Sequence, residues 1–211
     1  MKKSLPFLMH VLLTLSVVTL SPLAAAAGNA AAGEAQIAVC ATCHGQDGAT
    51  GLDGTYPNLA GQSERYLLRQ LRMIQDGSRN IPLMAGQLNG KSDQDLADIA
   101  AYYANLPGKI SQASGDDDQI SSAQQIYRGG IARKNVAACS ACHAPTGKGN
   151  AAAGFPSIAG QPAPYTTAQL KAYRERTRTT DEDYGAMMRD VAEGLTDTEI
   201  ATLADYLQGL H

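Results

Sequence analysis

The 211-residue chain is poor in large aromatic side chains, with no tryptophan and only two phenylalanines. This is little apolar bulk for stabilising small domains. The chain also lacks any run of basic residues and has a formal net charge of -3, which argues against nucleic acid as a partner. An acidic surface of this kind favours docking to a basic surface on another protein. Beyond the N-terminus, no apolar segment is long enough to span a membrane.

The N-terminus has the pattern of a cleaved secretory signal peptide. Two lysines precede an apolar run over residues 5–20, and an alanine tract follows at 24–27. A membrane anchor is the alternative, but polar side chains interrupt the run, which falls short of the ~20 clean apolar residues that a span needs. Cleavage after Ala26 and cleavage after Ala27 both fit. The predicted signal covers residues 1–27, and we expect a soluble mature protein outside the cytoplasm.

All four cysteines belong to a five-residue pattern, C-x-x-C-H, that occurs twice. This pattern is the attachment signature of c-type haem. The two thiols are spaced to form thioethers with the vinyl groups of one porphyrin, and the histidine that follows binds the iron from below. We therefore predict two covalently bound haem c groups. The attachment residues are Cys40, Cys43, Cys139 and Cys142, and the proximal iron ligands are His44 and His143.

Other uses of paired cysteines explain the sequence less well. In an oxidising compartment four cysteines could form disulfides, and a C-x-x-C pair could also be a redox dithiol or half of a zinc site. Zinc is disfavoured because the two pairs lie much farther apart than the usual spacing of about 15–20 residues. None of these alternatives accounts for a histidine directly after both pairs. A buried porphyrin in each half would also supply the apolar bulk that the aromatic content does not.

The two halves of the mature chain are copies of one sequence unit. Residues 57–62 (PNLAGQ) match residues 156–161 (PSIAGQ) at the same distance after the C-x-x-C-H pattern. Further on, Ser92 and Thr196 each have a carboxylate three positions later and precede apolar residues at helical spacing, which predicts a capped closing helix. Strand-like alternation is absent, so the predicted fold class is all-α. We predict a first domain at 28–108, a polar linker at 109–119, and a second domain at 120–211 whose first element runs from Ser121 to about Gly129.

The second axial ligand of each iron decides between electron transfer and catalysis. Outside the signal and the C-x-x-C-H patterns the only histidine is His211, so methionine is the realistic ligand. Counting back from the helix caps aligns Met84 with Met188, whereas Met73 has no counterpart and is assigned to the core. A slip of one residue in the longer second loop would make Met187 the ligand. We predict Met84 and Met188.

A proline follows each proximal histidine at the same distance along the chain. Metal-bound histidines usually donate their free ring N–H to a backbone carbonyl, which fixes the orientation of the ring. A simple loop corner is the alternative explanation of the prolines. We expect the carbonyls of Pro57 and Pro156 to orient His44 and His143.

These elements together resemble the cytochrome c4 family. The resemblance rests on the doubled C-x-x-C-H, the paired segments 57–62 and 156–161, YLLRQL at 66–71, YRGG at 127–130, and the two methionines. It covers essentially the whole mature chain and implies two tandem class I cytochrome c domains with pseudo-twofold symmetry, each wrapped round one haem, with propionate edges facing the interface. It also implies a periplasmic carrier with peripheral membrane association in some members. Leu83 before Met84 departs from the Met-Met or Pro-Met of many relatives without disturbing the ligand.

The expected function is electron transfer by a monomeric dihaem protein that is not an enzyme. A quinol-oxidising bc complex or another redox protein would be the donor, and a terminal oxidase or reductase the acceptor. One alternative is the cytochrome subunit of a dehydrogenase complex, such as one for flavin-dependent sulfide oxidation. Another is a haem peroxidase, which would need Met84 or Met188 to be off the iron at rest.

Overall fold

The computed structural model describes residues 27–211, so the predicted signal peptide lies outside the described residues except for Ala27. In this range the only β pairing is two isolated bridges, and the all-α prediction is confirmed. None of the described helices is long and apolar enough to cross a membrane. The helices are α1 (Ala30–Glu34), α2 (Ala38–His44), α3 (Glu64–Gln75), α4 (Asp93–Asn105), α5 (Asp117–Gly129), α6 (Ser140–His143), α7 (Ala163–Arg174), α8 (Met187–Glu193) and α9 (Asp197–Gly209).

The two closing helices, α4 and α9, begin with the predicted caps. Ser92 Oγ accepts the backbone N–H of Asp95 at 3.2 Å, and the Asp95 carboxylate accepts the N–H of Ser92 at 2.8 Å. Thr196 and Glu199 repeat both bonds at 3.2 and 2.8 Å. Each capping box satisfies two N–H groups that a helix start otherwise leaves without partners.

Helix α5 begins at Asp117, inside the segment 109–119 that the sequence predicts as a linker, and not near Ser121. The Asp116 carboxylate accepts the N–H of Gln119 at 2.9 Å, and the Gln119 side chain accepts the N–H of Asp116 at 3.1 Å. The run of aspartates therefore starts a helix, because carboxylates stabilise a helix N-terminus through capping and the helix dipole. The irregular connection between the halves is correspondingly shorter than predicted.

Each half has its own apolar core, built around its closing helix. Helices α1 and α3 pack against α4, and α5 and α7 pack against α9. The apolar positions predicted on the closing helices point inward, as shown by Ile99 in the first core and Leu203 in the second, which are 2% and 1% exposed. Two tyrosines, Tyr103 and Tyr127, are also fully buried and close the cores beside the cysteines.

The halves join through the last residue of each repeated segment. Gln161 accepts the backbone N–H of Asn58 at 3.0 Å and donates its amide to the Asn58 carbonyl at 2.8 Å. Gln62 makes the same two bonds to Ser157, at 2.9 and 2.8 Å. Exchanging the halves maps one pair of bonds onto the other, so a pseudo-twofold axis passes between them, as expected.

Candidate haem sites

One largely apolar cavity of about 770 Å³ runs across both halves of the molecule. The residues that the sequence singles out for haem attachment and iron ligation all border it. Helix α2 carries the first C-x-x-C-H pattern, and Cys139 together with α6 carries the second. The bordering residues include Cys40, Cys43, His44, Met84, Cys139, Cys142, His143 and Met188.

Both proximal histidines are buried and held by the predicted carbonyl contact. His44 Nδ1 lies 2.9 Å from the Pro57 oxygen, and His143 Nδ1 lies 2.9 Å from the Pro156 oxygen. With Nδ1 used in this way, Nε2 is the nitrogen available to iron. Burial lowers the pKa of each imidazole by more than the carbonyl contact raises it. Both rings are therefore held in the neutral form that binds a metal.

The four cysteines are half-buried. Burial raises the pKa of Cys40, and it raises the pKa of Cys139 to about 11. Sites that disfavour a charged sulfur suit a neutral thioether better than a thiolate. Among residues 27–211, no three His, Cys, Asp or Glu side chains converge so as to hold a metal ion directly.

The candidate methionine ligands lie on different local structures. Met84 ends a short 3₁₀ turn, Pro82–Met84, whereas Met188 lies in the first turn of α8. Both are half-buried at the cavity. Met187 also borders the cavity, but it is 38% exposed and its Sδ lies 4.0 Å from Cys142 Sγ. Met188 is favoured over Met187 because it is Met188 that aligns with Met84 in the repeat.

Two buried arginines at the interface were missed by the sequence analysis. Arg79 donates to Gln70 at 2.8 Å and, across the interface, to the Tyr165 hydroxyl at 3.3 Å. Arg178 donates to Gln169 at 2.7 Å and crosses to the Tyr66 hydroxyl at 3.0 Å. The repeat carries a signal for them, because the two arginines are separated by the same interval as the two glutamines and the two tyrosines.

This cluster fits the propionates of haem. Arg79 and Arg178 are 9% and 8% exposed, and the partners just described are all neutral, so the cluster carries excess positive charge. Buried charges require compensation by groups of opposite charge. Gln70 Nε2 is in addition a buried donor without a protein partner. Burial raises the pKa of Tyr165, but Arg79 and Arg178 outweigh it and the net shift is downward. Carboxylates at this place would satisfy all of these groups.

Comparison with known proteins also indicates a cytochrome c with one haem domain in each half. A family model for cytochrome c matches residues 30–107 and, again, residues 131–211. Cytochrome c4 of Pseudomonas aeruginosa is 47% identical over 204 residues, which cover 97% of this chain and 98% of that protein. The chain belongs to the cytochrome c4 family.

Two further relatives define the scope of the similarity. The crystal structure of reduced recombinant cytochrome c4 from Pseudomonas stutzeri matches with a TM-score of 0.84 at 44% identity, over 88% of this chain and 100% of that chain. A protein named thiosulfate dehydrogenase electron acceptor, from Stutzerimonas stutzeri, is 35% identical over 79% of this chain and 76% of its own length. The chain is therefore a dihaem cytochrome c with two covalent haem c groups and a role in electron transfer.

Proposed function

We propose that this cytochrome is a periplasmic electron carrier with two His/Met-ligated irons. In the first half the ligands are His44 and Met84, and in the second they are His143 and Met188. The observation that carries the proposal is that each half brings a carbonyl-oriented imidazole and a methionine thioether to the border of one apolar cavity.

Haem held by these residues would supply a one-electron Fe(II)/Fe(III) couple. The chain supplies the remaining requirements. The proline carbonyls orient the imidazoles, and ligation by the methionine thioethers would favour the reduced iron and raise the potential. Arg79 and Arg178 would hold the propionates at the interface, and the buried apolar wall would exclude water. Because the fold fixes these ligands, little rearrangement would accompany a one-electron change.

The periplasmic location rests on the predicted signal over residues 1–27 together with the thioether chemistry of the C-x-x-C-H patterns. A monomer is favoured because the twofold interface is closed within one chain by Gln62 and Gln161. Donor and acceptor are proposed to be other redox proteins, with a quinol-oxidising bc complex on one side and a terminal oxidase or reductase on the other.

A second candidate has the same haem chemistry but a different donor. The similarity to the thiosulfate dehydrogenase electron acceptor favours a role as the cytochrome partner of a dehydrogenase. A peroxidase has less support, since His211, the histidine outside the predicted signal and the C-x-x-C-H patterns, is exposed.

The test is electron delivery by the reduced holoprotein. We expect two electrons per chain to pass to membranes that contain a terminal oxidase, and hydrogen peroxide to be consumed at the rate of free buffer. Fast peroxide turnover with slow delivery to the oxidase would contradict the proposal. Rapid reduction of the oxidised protein by thiosulfate and a purified thiosulfate dehydrogenase, with none by a quinol-oxidising complex, would select the second candidate.

A further inference from the structure

The loop that carries Met188 contains five residues that the first half lacks. Equivalent positions are 99 residues apart at Arg79 and Arg178, and 104 apart at Met84 and Met188, so the difference of five lies between these points. The segment between Arg178 and Met188 contains three acidic residues, Asp181, Glu182 and Asp183, and each pairs with an arginine.

Asp181 closes the loop around Met188 through Arg189. Its side chain is buried, with the residue 4% exposed. One carboxylate oxygen accepts the backbone N–H of Arg189 at 3.0 Å, and the other accepts Nε of the same residue at 2.8 Å. Glu182 pairs with the far end of this guanidinium. Charge-assisted bonds with two contacts fix geometry as well as adding stability, so the residue next to Met188 is held on both its main chain and its side chain.

The inserted segment is also fastened to the opposite half of the molecule. Arg69 of α3 pairs with Asp183 at 3.1 Å and lies 5.1 Å from the ring centre of Tyr184. The Tyr184 ring is 5.8 Å from that of Phe155, which follows the second C-x-x-C-H pattern. The loop is therefore braced at Asp181 and again at Asp183 and Tyr184.

The loop of Met84 has none of these braces. Ala85 stands where the second half has Arg189, and no ion pair involves residues 80–90 in the described part of the chain. The turn is held by backbone bonds, from the Met84 N–H to Ile81 at 2.9 Å and from the Gln87 N–H to Met84 at 3.1 Å. Leu83, directly before the methionine, is 71% exposed. A short exposed turn held by few bonds opens more readily than a braced helix start.

We propose that Met84 is the exchangeable axial ligand, so that the first haem is the site at which a small neutral nitrogen ligand displaces methionine, while Asp181 and Arg189 keep Met188 on its iron. The inference rests on the proposed ligation by Met84 and Met188. The exchange breaks one Fe–S bond and forms one Fe–N bond, and it transfers no electron or proton. Asp181 and Arg189 are positioning residues, since they act through the loop.

Imidazole titration of the oxidised holoprotein tests the proposal. The weak far-red band of Met–Fe(III) reports the number of methionines bound, and methionine methyl resonances, assigned with Met84→Leu and Met188→Leu, report which one leaves. We expect the Met84 signal to be lost at an imidazole concentration about tenfold or more below that for Met188, since hydrogen bonds to charged groups contribute this much. The imidazole concentration at which half of the Met84 signal is lost is the first midpoint, and the corresponding concentration for Met188 is the second. Asp181→Asn should bring the second midpoint close to the first and leave the first unchanged.

Asp190→Asn is the matched control. It removes a carboxylate from the same helix, but one that is 61% exposed and pairs with Arg176 at the surface, so both midpoints should stay at their wild-type values. The inference would be overturned by any of three results. In the wild type, the two midpoints could be equal, or the Met188 signal could be lost before that of Met84. In Asp181→Asn, the second midpoint could stay at its wild-type value. If the far-red band of the oxidised wild-type protein has the intensity of fewer than two bound methionines, the proposed ligation itself is overturned. If Asp181→Asn does not fold, the wild-type titration alone decides.

Discussion

Replacing Gln161 with leucine should weaken the junction between the two halves. The Gln161 side chain makes two hydrogen bonds to the backbone of Asn58, accepting its N–H at 3.0 Å and donating to its carbonyl at 2.8 Å. Leucine has a similar volume but offers neither a donor nor an acceptor. The variant therefore leaves two backbone groups of Asn58, a residue that is 6% exposed, without partners at the interface.

The expected loss in the free energy of unfolding is about 3 kcal/mol, since each buried backbone group without a partner costs roughly 1–3 kcal/mol. The pseudo-twofold mate provides an internal comparison. Gln62→Leu breaks the same two bonds to Ser157 and a third from the Ser63 N–H at 2.9 Å, but Ser157 and Ser63 are only half-buried. Water can replace part of what is lost there, so the second variant should cost less, about 1–2 kcal/mol.

The assay is urea unfolding of the holoprotein, followed by far-UV circular dichroism. Unfolding midpoints can be compared directly if the dependence of the free energy of unfolding on urea concentration is the same in each variant. Gln125→Leu is the control, since Gln125 is exposed on α5 and its side chain makes no hydrogen bond to any residue of 27–211. Its effect should stay within about 0.5 kcal/mol. A loss for Gln161→Leu no larger than that of the control would refute the account of the interface.

Three further substitutions test other parts of the structure. Arg178→Gln removes a buried positive charge beside the proposed propionates, so it should lower the reduction potential by tens of millivolts. For one electron, about 1.4 kcal/mol corresponds to about 59 mV. Unchanged potentials in spectroelectrochemistry would count against the propionate site. Glu199→Ala should cost about 1–2 kcal/mol, because it removes the carboxylate that accepts the Thr196 N–H and pairs with Lys134. Burial raises the pKa of Glu199, but hydrogen bonds, notably from Lys134, make the net shift downward. Its contribution is therefore present above the unfolded-state pKa of about 4.3 and lost as pH falls through the lower folded value, so the variant should show a flatter stability curve below that pH. Gly160 has a φ of +70°, and a Cβ added there lies 2.2 Å from the carbonyl oxygen of Lys109. At Gly129 an added Cβ meets nothing within 4 Å. The melting temperature of Gly160→Ala should therefore fall well below that of Gly129→Ala.

Features set by short stretches of sequence were predicted correctly. The C-x-x-C-H patterns, the capping boxes at Ser92 and Thr196, and the apolar face of each closing helix depend on residues within a few positions of one another. The contact between each proline carbonyl and its histidine was also predicted, because the repeat placed it at the same interval in both halves. The start of α5 was misplaced because aspartates near a glycine read equally as a linker and as a helix cap.

Features that depend on contacts between distant segments were not predicted. Arg79 and Arg178 lie together only because the pseudo-twofold axis brings their loops face to face. The extra length of the second ligand loop is visible in the sequence, but its pairing of Asp181 with Arg189 is not, since nearby acidic and basic residues are usually solvated at the surface. The comparisons establish the family, whereas the choice of Met188 over Met187 still rests on the alignment of the two halves.

The most direct test of the central claim is the far-red Met–Fe(III) band of the oxidised holoprotein, measured per haem. His/Met ligation at both irons predicts two equivalents in the wild type, one in Met84→Leu and one in Met188→Leu. Met73→Leu and Met187→Leu are matched controls and should keep both. One equivalent or none in the wild type, or loss of a band in Met187→Leu with none in Met188→Leu, would contradict the assignment of ligands on which the account depends.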